Sequence, residues 1–222
     1  YVDIDPKTFN MNPIDLERKI TPKSKAIIVV ALYGQPCDMD PILEIARKHN
    51  LPVIEDNAQC FLGEYKGRLA GTFGDIASYS FENSKHLSCG EGGIITSNSE
   101  ELATTARKVS NHGFINSTAK SGRTKLNLDV FQNPNYKRHD EIGWNYRLSE
   151  ISAAVALAQL ERIDEMIENR IKVAKMFLDV IEETNCNFLV PQHEPEGYKN
   201  SYWSLALLFE KDRCGLTWQE FR

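Results

Sequence analysis

The sequence predicts an α/β fold: a mixed, mostly parallel sheet with helices on both faces, followed by the start of a smaller C-terminal α+β domain. Apolar runs of strand length alternate with amphipathic helical segments. The 222 residues are enough for one large domain and a piece of another. We therefore predict a large domain over 1–148, a long connecting helix over 149–184 and the beginning of a small domain over 185–222.

The first strand–helix–strand unit is predicted over residues 26–55. Residues 26–32 form a continuous apolar run, which is typical of a buried parallel strand. Asp40 is a predicted N-cap, because a helical apolar pattern follows it and ends near Asn50. Residues 51–54 then form the next strand, so the crossover should be right-handed.

Two further strands are predicted at residues 76–81 and 93–96, and Ser99 opens a helix that runs towards Ser110. The sheet should therefore be mixed. The polar segment 113–141 is predicted as a loop, which is either a flap over a site or a solvated surface insertion.

The last third of the chain begins with an apolar periodicity from Ser149 that predicts a long helix able to bridge two domains. Strands are expected at 188–191 and 202–209. Thr217 and Glu220 have the spacing of a capping box at the start of another helix, close to the last residue. The chain also begins without methionine, so we expect a fragment of a longer protein.

Composition argues against several classes of protein. A net charge of −5 does not fit a nucleic-acid surface, which needs an excess of Lys and Arg. The five cysteines lack metal-site spacing, so neither a metal site nor a disulfide framework is expected. No apolar run approaches the roughly 18 residues of a membrane span. The expected compartment is the cytoplasm.

Two positions indicate a specific chemistry. Lys85 follows residues 80–84 and precedes a glycine-rich turn that begins at Gly90, and Asp56 ends an apolar run. A lysine amine can form a Schiff base and an aspartate can pair with a pyridinium nitrogen, so together they predict a pyridoxal 5′-phosphate site. Taken singly, Lys85 could be a surface lysine, Asp56 a loop acid, and the glycines a turn that needs positive φ.

Five segments, in their order and separation, resemble the DegT/DnrJ/StrS-type sugar aminotransferases, and among these the perosamine-synthase-type enzymes. They are residues 32–40 (LYGQPCDMD), 55–59 (EDNAQ), 80–85 (SFENSK), 90–93 (GEGG) and 143–150 (GWNYRLSE). The resemblance implies the large domain of a fold-type I, pyridoxal-phosphate-dependent transferase. It also implies a homodimer with active sites at the subunit interface.

The resemblance assigns a role to each of five side chains. Lys85 would form the Schiff base and carry the proton in catalysis, and Asp56 would pair with the ring nitrogen. Gln59 would contact the ring and Ser80 would bind the phosphate. Asn145 would reach the phosphate of the neighbouring subunit's cofactor. Asn145 could equally satisfy local backbone groups before the helix at Ser149.

The implied activity is amino transfer from glutamate to a keto group of a nucleotide-linked deoxysugar, in the biosynthesis of either a surface polysaccharide or a secondary metabolite. A sugar dehydratase is one alternative, although relatives that dehydrate carry histidine where this chain has Lys85. A catalytically silent relative with a regulatory or scaffold role is the other alternative. Full family members continue beyond both ends of this chain, so we expect the 222 residues alone to lack activity.

Overall fold

The computed structural model describes residues 1–120 and 126–222. In this part of the chain the strands are β1 Ile27–Val30, β2 Val53–Asp56, β3 Glu64–Tyr65, β4 Arg68–Leu69, β5 Ile76–Ser80, β6 Gly93–Thr96, β7 Leu189–Pro191, β8 Tyr198–Lys199 and β9 Leu207–Phe209. The helices are α1 Pro13–Lys19, α2 Met39–His49, α3 Glu100–Ser110, α4 Leu128–Gln132, α5 Glu150–Leu160, α6 Ile163–Glu183, α7 Lys211–Cys214 and α8 Trp218–Phe221.

The main sheet has the strand order β1-β2-β5-β6. The first three strands are parallel, with Ile27 opposite Val53 and Ile54 opposite Ile76, and β6 is antiparallel to β5. This confirms the predicted α/β fold with a mixed, mostly parallel sheet. The parallel order also places the carboxyl ends of β2 and β5 side by side.

The larger hydrophobic core lies between this sheet and helices α1 and α2. Leu16 of α1 and Ile42 of α2 pack against Ile27 and Val53, and all four are buried. On the opposite face of β1, Ile28 is 57% exposed. The strand–helix–strand unit is thus held by apolar burial on the face that carries α1 and α2.

The prediction of a single helix over 149–184 is wrong, because two helices, α5 and α6, occupy this segment. Arg162 lies between them with φ −115° and ψ 7°, outside helical geometry. The interruption allows Ala156 of α5 and Ile167 of α6 to share one buried cluster with Phe81 and Leu87. Packing of both helices on the same cluster explains the break.

The predicted N-cap at Asp40 is also wrong. The helix α2 starts at Met39, with Asp38 as N-cap residue, so Asp40 lies in the first turn. Asp38 Oδ1 instead accepts a hydrogen bond from the Tyr65 hydroxyl at 2.8 Å. Asp40 pairs with Lys66 at 2.5 Å.

The C-terminal third shows a shorter strand than predicted and a confirmed helix start. Of residues 202–209, only Leu207–Phe209 is a strand. Tyr202 has a φ of 47°, which a strand does not allow, so the strand cannot begin at this residue. The capping box of Thr217 and Glu220 is present. The strand β8 pairs with β3. The chain after α6 therefore returns to the segment between β2 and β5.

Two predicted features lie around α3. Ser99 caps α3 as predicted, since its side chain accepts a hydrogen bond from Leu102 N at 3.2 Å. Of the predicted loop 113–141, residues 121–125 lie outside the described residues, and the remainder contains the short helix α4.

Within the described ranges, no helix combines the length and apolar character required to cross a bilayer. In the same residues, no three His, Cys, Asp or Glu side chains are close enough together to hold a metal ion. The domain boundaries at 148 and 184 stay predictions.

Candidate active site

The candidate site begins where two parallel strands end. Asp56 is the last residue of β2 and Ser80 the last residue of β5, and Asp56 is paired with Ser78 of β5. In open α/β sheets, ligands bind in the crevice outside the carboxyl ends of the strands. The structure therefore brings Asp56 and Ser80 to one edge of the sheet.

The Asp56 side chain is oriented by the chain that follows it. Its Oδ1 accepts a hydrogen bond from Ala58 N at 3.0 Å, and Asn57 N donates to Ser78 O at 2.9 Å. Asp56 is half-buried, whereas Asn57 is buried. The second carboxylate oxygen of Asp56 can accept a hydrogen bond from a bound ligand.

Glu55, which the sequence analysis did not assign, anchors the end of β2. This carboxylate is only 3% exposed. It accepts hydrogen bonds from Gly71 N at 2.7 Å, from Phe73 N at 2.7 Å and from Gly74 N at 2.5 Å. The Glu55 carboxylate thus binds backbone N–H groups inside the fold. Of the neighbouring acids Glu55 and Asp56, Asp56 is the one that is available to a ligand.

Gln59 is tied to a neighbouring turn. Its Oε1 accepts a hydrogen bond from Tyr33 N at 2.9 Å. Tyr33 lies in the turn Leu32–Gly34 with a φ of 62°, a left-handed conformation that is uncommon outside glycine. The Gln59 amide nitrogen remains available as a donor towards a ligand.

Lys85 lies in a turn that begins at Ser80. Ser80 Oγ accepts a hydrogen bond from Glu82 N at 3.2 Å, and Lys85 N donates to Glu82 O at 3.1 Å. Gly90, with a φ of 90°, reverses the chain after this turn, and Phe81 N donates to Gly92 O at 2.8 Å. The glycine-rich segment therefore closes the lysine turn. The positive φ of Gly90 agrees with the interpretation of these glycines as a turn that needs positive φ.

The Lys85 side chain is half-buried and lies against an aromatic ring. Its Nζ is 4.6 Å from the centre of the Trp203 ring. Trp203 Nε1 donates a hydrogen bond to Ser84 O at 2.8 Å. The sequence analysis missed Trp203, since it assigned this residue to a strand and no local pattern links it to Lys85.

His86 fixes the other side of the lysine turn. It is 1% exposed, and its Nε2 lies 3.0 Å from Ser201 O. Because a carbonyl oxygen only accepts hydrogen bonds, the proton of the neutral ring is on Nε2. Burial lowers the pKa of His86 to about 4, and the positive charges of Arg170 and Lys85 act in the same direction. His86 is therefore neutral at physiological pH.

Ser201 connects this turn to the turn that holds Gln59. Gly34 O accepts hydrogen bonds from Ser201 N at 2.8 Å and from Ser201 Oγ at 3.1 Å. A side chain at Gly34 would place its Cβ 2.4 Å from Tyr202 N. Glycine is thus required at this position for the close approach of the two segments.

Asn145 is exposed and lies in a different part of the chain. Its Oδ1 accepts a hydrogen bond from Arg147 Nε at 2.7 Å, and its backbone forms a bridge with Asn111 at the end of α3. These contacts join Asn145 to the connection between α3 and α5 rather than to β2 and β5.

The donor set fits pyridoxal 5′-phosphate. A carboxylate at the end of β2 suits a protonated ring nitrogen, a hydroxyl at the end of β5 suits a phosphate, and a half-buried amine in the next turn suits an aldehyde. Asp56, Ser80 and Lys85 supply these groups. Their roles, and those of Gln59 and Asn145, stay predictions.

Comparison with characterised proteins gives closely related sequences. GDP-perosamine synthase from Escherichia coli O157:H7 is 39% identical over 209 residues, which are 94% of this chain and 51% of that protein. The chain thus spans about half the length of the curated relatives it matches.

Solved structures agree with these relatives. An aminotransferase from Psychrobacter cryohalolentis superposes with a TM-score of 0.84 at 31% identity, over 95% of this chain and 53% of that one. The GDP-4-keto-6-deoxy-D-mannose-3-dehydratase of E. coli, solved with bound hydrated pyridoxal phosphate, gives 0.84 at 28% identity, over 99% and 55%.

A match to a family model agrees with the strand-end carboxylate, the lysine turn and these similarities. A family model covers residues 1–220, and the chain belongs to the DegT/DnrJ/EryC1/StrS aminotransferase family.

Proposed function

We propose that this chain carries the pyridoxal 5′-phosphate site of an aminotransferase that moves an amino group from glutamate to the keto group of a nucleotide-linked deoxysugar. The observation that carries the proposal is the placement of Asp56 and Ser80 at adjacent strand ends, with Lys85 in the turn that follows. The names of related proteins, among them a GDP-perosamine synthase and a UDP-sugar aminotransferase, support a nucleotide-sugar substrate.

Bound pyridoxal phosphate would supply an electron sink for the carbon that gains or loses the amino group. Lys85 Nζ would be the nucleophile that holds the cofactor and, once released, the base that moves the proton. The Asp56 carboxylate would favour a proton on the ring nitrogen. These two residues carry the chemistry, while the remaining residues orient and bind.

Gln59 and Ser80 have binding roles. Gln59 keeps its Oε1 on Tyr33 N, which fixes the side chain so that its amide nitrogen can contact the ring. Ser80 Oγ already accepts a hydrogen bond from Glu82 N, so its hydroxyl proton is available to a phosphate oxygen.

Asn145 would act in a partner's site in a homodimer. Two features of this region support that role: Asn145 is exposed, and apolar residues nearby, such as Ile151 at 81% and Leu157 at 58%, are exposed as well. Exposed apolar surface of this kind is typical of association surfaces. Arg147 would then keep Asn145 oriented towards the partner.

The test is an absorbance spectrum of the complete protein, including any residues that flank this chain in its native sequence. With added pyridoxal phosphate, we expect a band near the edge of the visible range that glutamate removes. Lys85→Ala should not form this band normally. Lys66→Ala is the matched control, because Lys66 pairs with Asp40 on α2 and should leave the band unchanged.

A second measurement separates the alternatives. With a GDP-linked 4-keto-6-deoxysugar and glutamate, an aminotransferase gives an amino sugar. Loss of the sugar's 3-hydroxyl without a retained amine would instead assign a dehydratase activity, which is the activity that the E. coli protein is named for. A folded protein with no Lys85-dependent band would refute the proposed function and leave a catalytically silent relative.

A further inference from the structure

We propose that Trp203 is a positioning residue for Lys85, and that its indole face holds the lysine ammonium group whenever Nζ is not bonded to the cofactor. The inference rests on the proposed function, since it concerns the protonated lysine that returns the proton during the reaction. Nothing in the family match or in the names of the relatives assigns a role to this tryptophan.

The geometry is that of a cation–π contact. Lys85 Nζ lies 4.6 Å from the centre of the Trp203 ring, inside the limit of about 6 Å for such contacts. Tryptophan is the strongest aromatic partner for a cation. Both side chains are half-buried, which strengthens the attraction relative to a fully exposed pair.

Two hydrogen bonds, one to the indole and one to the backbone, hold Trp203 in place. Trp203 Nε1 donates to Ser84 O at 2.8 Å, directly beside the lysine it contacts. The backbone oxygen of Trp203 accepts a hydrogen bond from Arg170 Nη1 at 3.2 Å, which ties the residue to α6. The ring therefore cannot turn away from Lys85 without losing its bond to the lysine turn.

No carboxylate described in the structure forms an ion pair with the ammonium, and Glu82 interacts with it only at longer range. Within residues 1–120 and 126–222, no carboxylate lies within 4.0 Å of Lys85 Nζ. His86 is neutral, because its Nε2 donates to Ser201 O and burial lowers its pKa to about 4. The indole is thus the principal partner of the lysine cation.

In the reaction, the contact would restrict the position of the released lysine side chain. A long lysine side chain loses rotamer freedom when it is ordered. An indole face that holds the protonated lysine keeps Nζ close to where it must return the proton. Trp203 itself needs no contact with the reacting atoms, so it positions the lysine rather than taking part in the chemistry.

The experiment measures how fast Lys85 is acetylated in cofactor-free protein by a limited amount of an amine-acylating reagent at pH 8. Mass spectrometry of peptides gives the rate for Lys85 relative to Lys172, an exposed lysine on α6. Trp203→Leu removes the ring, while Trp203→Phe keeps a smaller ring face and removes the N–H donor. Trp218→Leu removes a tryptophan that packs against Phe209 instead.

We expect Trp203→Leu to raise the relative rate about two- to fivefold, as the loss of a partly exposed cation–π contact would. Trp203→Phe should stay within about twofold of the wild type, and Trp218→Leu should not differ from it. Equal increases in Trp203→Leu and Trp203→Phe would mean that the hydrogen bond to Ser84 acts alone, and would overturn the proposal.

Replacement of tryptophan by fluorinated tryptophan covers the case in which Trp203→Leu does not fold. It preserves the ring shape and the N–H donor but weakens the negative potential of the ring face. Faster acetylation of Lys85 in this protein supports the proposal, and an unchanged rate overturns it.

Failure of this inference is distinguishable from failure of the proposed function. A Lys85-dependent pyridoxal phosphate band together with unchanged acetylation overturns the role of Trp203 alone. Absence of any Lys85-dependent band overturns the proposed function, and the positioning role is then withdrawn with it.

Discussion

Replacement of the buried Glu55 by glutamine tests whether the end of β2 is anchored as the structure shows. The wild-type carboxylate accepts three backbone N–H groups, those of Gly71, Phe73 and Gly74, at 2.5 to 2.7 Å. In Glu55→Gln, only one side-chain oxygen remains an acceptor. If it stays with Phe73 and Gly74, the amide nitrogen faces Gly71 N and that hydrogen bond is lost.

The magnitude follows from the three bonds. A hydrogen bond to a charged group contributes about 1.5–3 kcal/mol, and one between neutral groups contributes about 0.5–1.5 kcal/mol. One lost bond and two weakened ones lower the free energy of unfolding by about 3.5–6 kcal/mol. Glu64→Gln is the matched control, because Glu64 is partly exposed and lies 3.8 Å from Lys199. We expect that change to cost less than about 1 kcal/mol.

The assay is urea unfolding of the complete protein, followed by tryptophan fluorescence, with the slope compared between variants. A loss of less than about 1 kcal/mol in Glu55→Gln, equal to that of the control, would refute the anchoring role. A loss near the expected value would show that Asp56 is presented by a strand end that depends on the charge of its neighbour.

Two further predictions concern buried titratable groups. Because His86 has a folded-state pKa of about 4 against 6.5 when unfolded, the unfolded state takes up a proton that the folded state does not, and the free energy of unfolding should fall as the pH falls from 6.5 towards 4. The loss should reach about 3 kcal/mol in denaturant titrations across this range, whereas His86→Phe should lack that part of the slope, and identical slopes would contradict the assignment. Burial raises the pKa of both Cys37 and Cys60 to about 12, so these two thiols should not react with a disulfide reagent at pH 8, while the other three cysteines should. Five thiols reacting at the same rate in native protein would contradict the burial of this pair.

The sequence was sufficient for the features that depend on local pattern. The apolar run over residues 26–32 correctly predicted the parallel strand β1, although this strand is buried on one face only. Ser99 and Thr217 correctly predicted helix starts, because capping is encoded by adjacent residues. Asp56 and Lys85 could likewise be recognised as candidates from the residues adjacent to them in the sequence. The break at Arg162 could not be predicted, because the apolar periodicity continues through it.

Contacts between distant segments were beyond the sequence. The pairing of Lys85 with Trp203 depends on how residues after α6 return to the sheet, and no periodicity specifies that path. The same holds for Gly34, whose need for glycine comes from Tyr202 rather than from its own turn alone. Residues 202–206 resemble a strand in composition, yet backbone contacts with a remote turn determine their conformation.

The return of the chain after α6 also sets an order of events during synthesis. Ser84 and the indole that bonds to it are 119 positions apart. At about 5–20 residues per second, the ribosome would add the tryptophan roughly 6–24 seconds after the lysine turn. The strands that carry Asp56 and Ser80 can pair during that interval, but Lys85 cannot contact the indole until Trp203 has been synthesised. A nascent chain stalled before Trp203 would therefore present Asp56 and Ser80 at paired strand ends, while Lys85 would lack its contact with the indole.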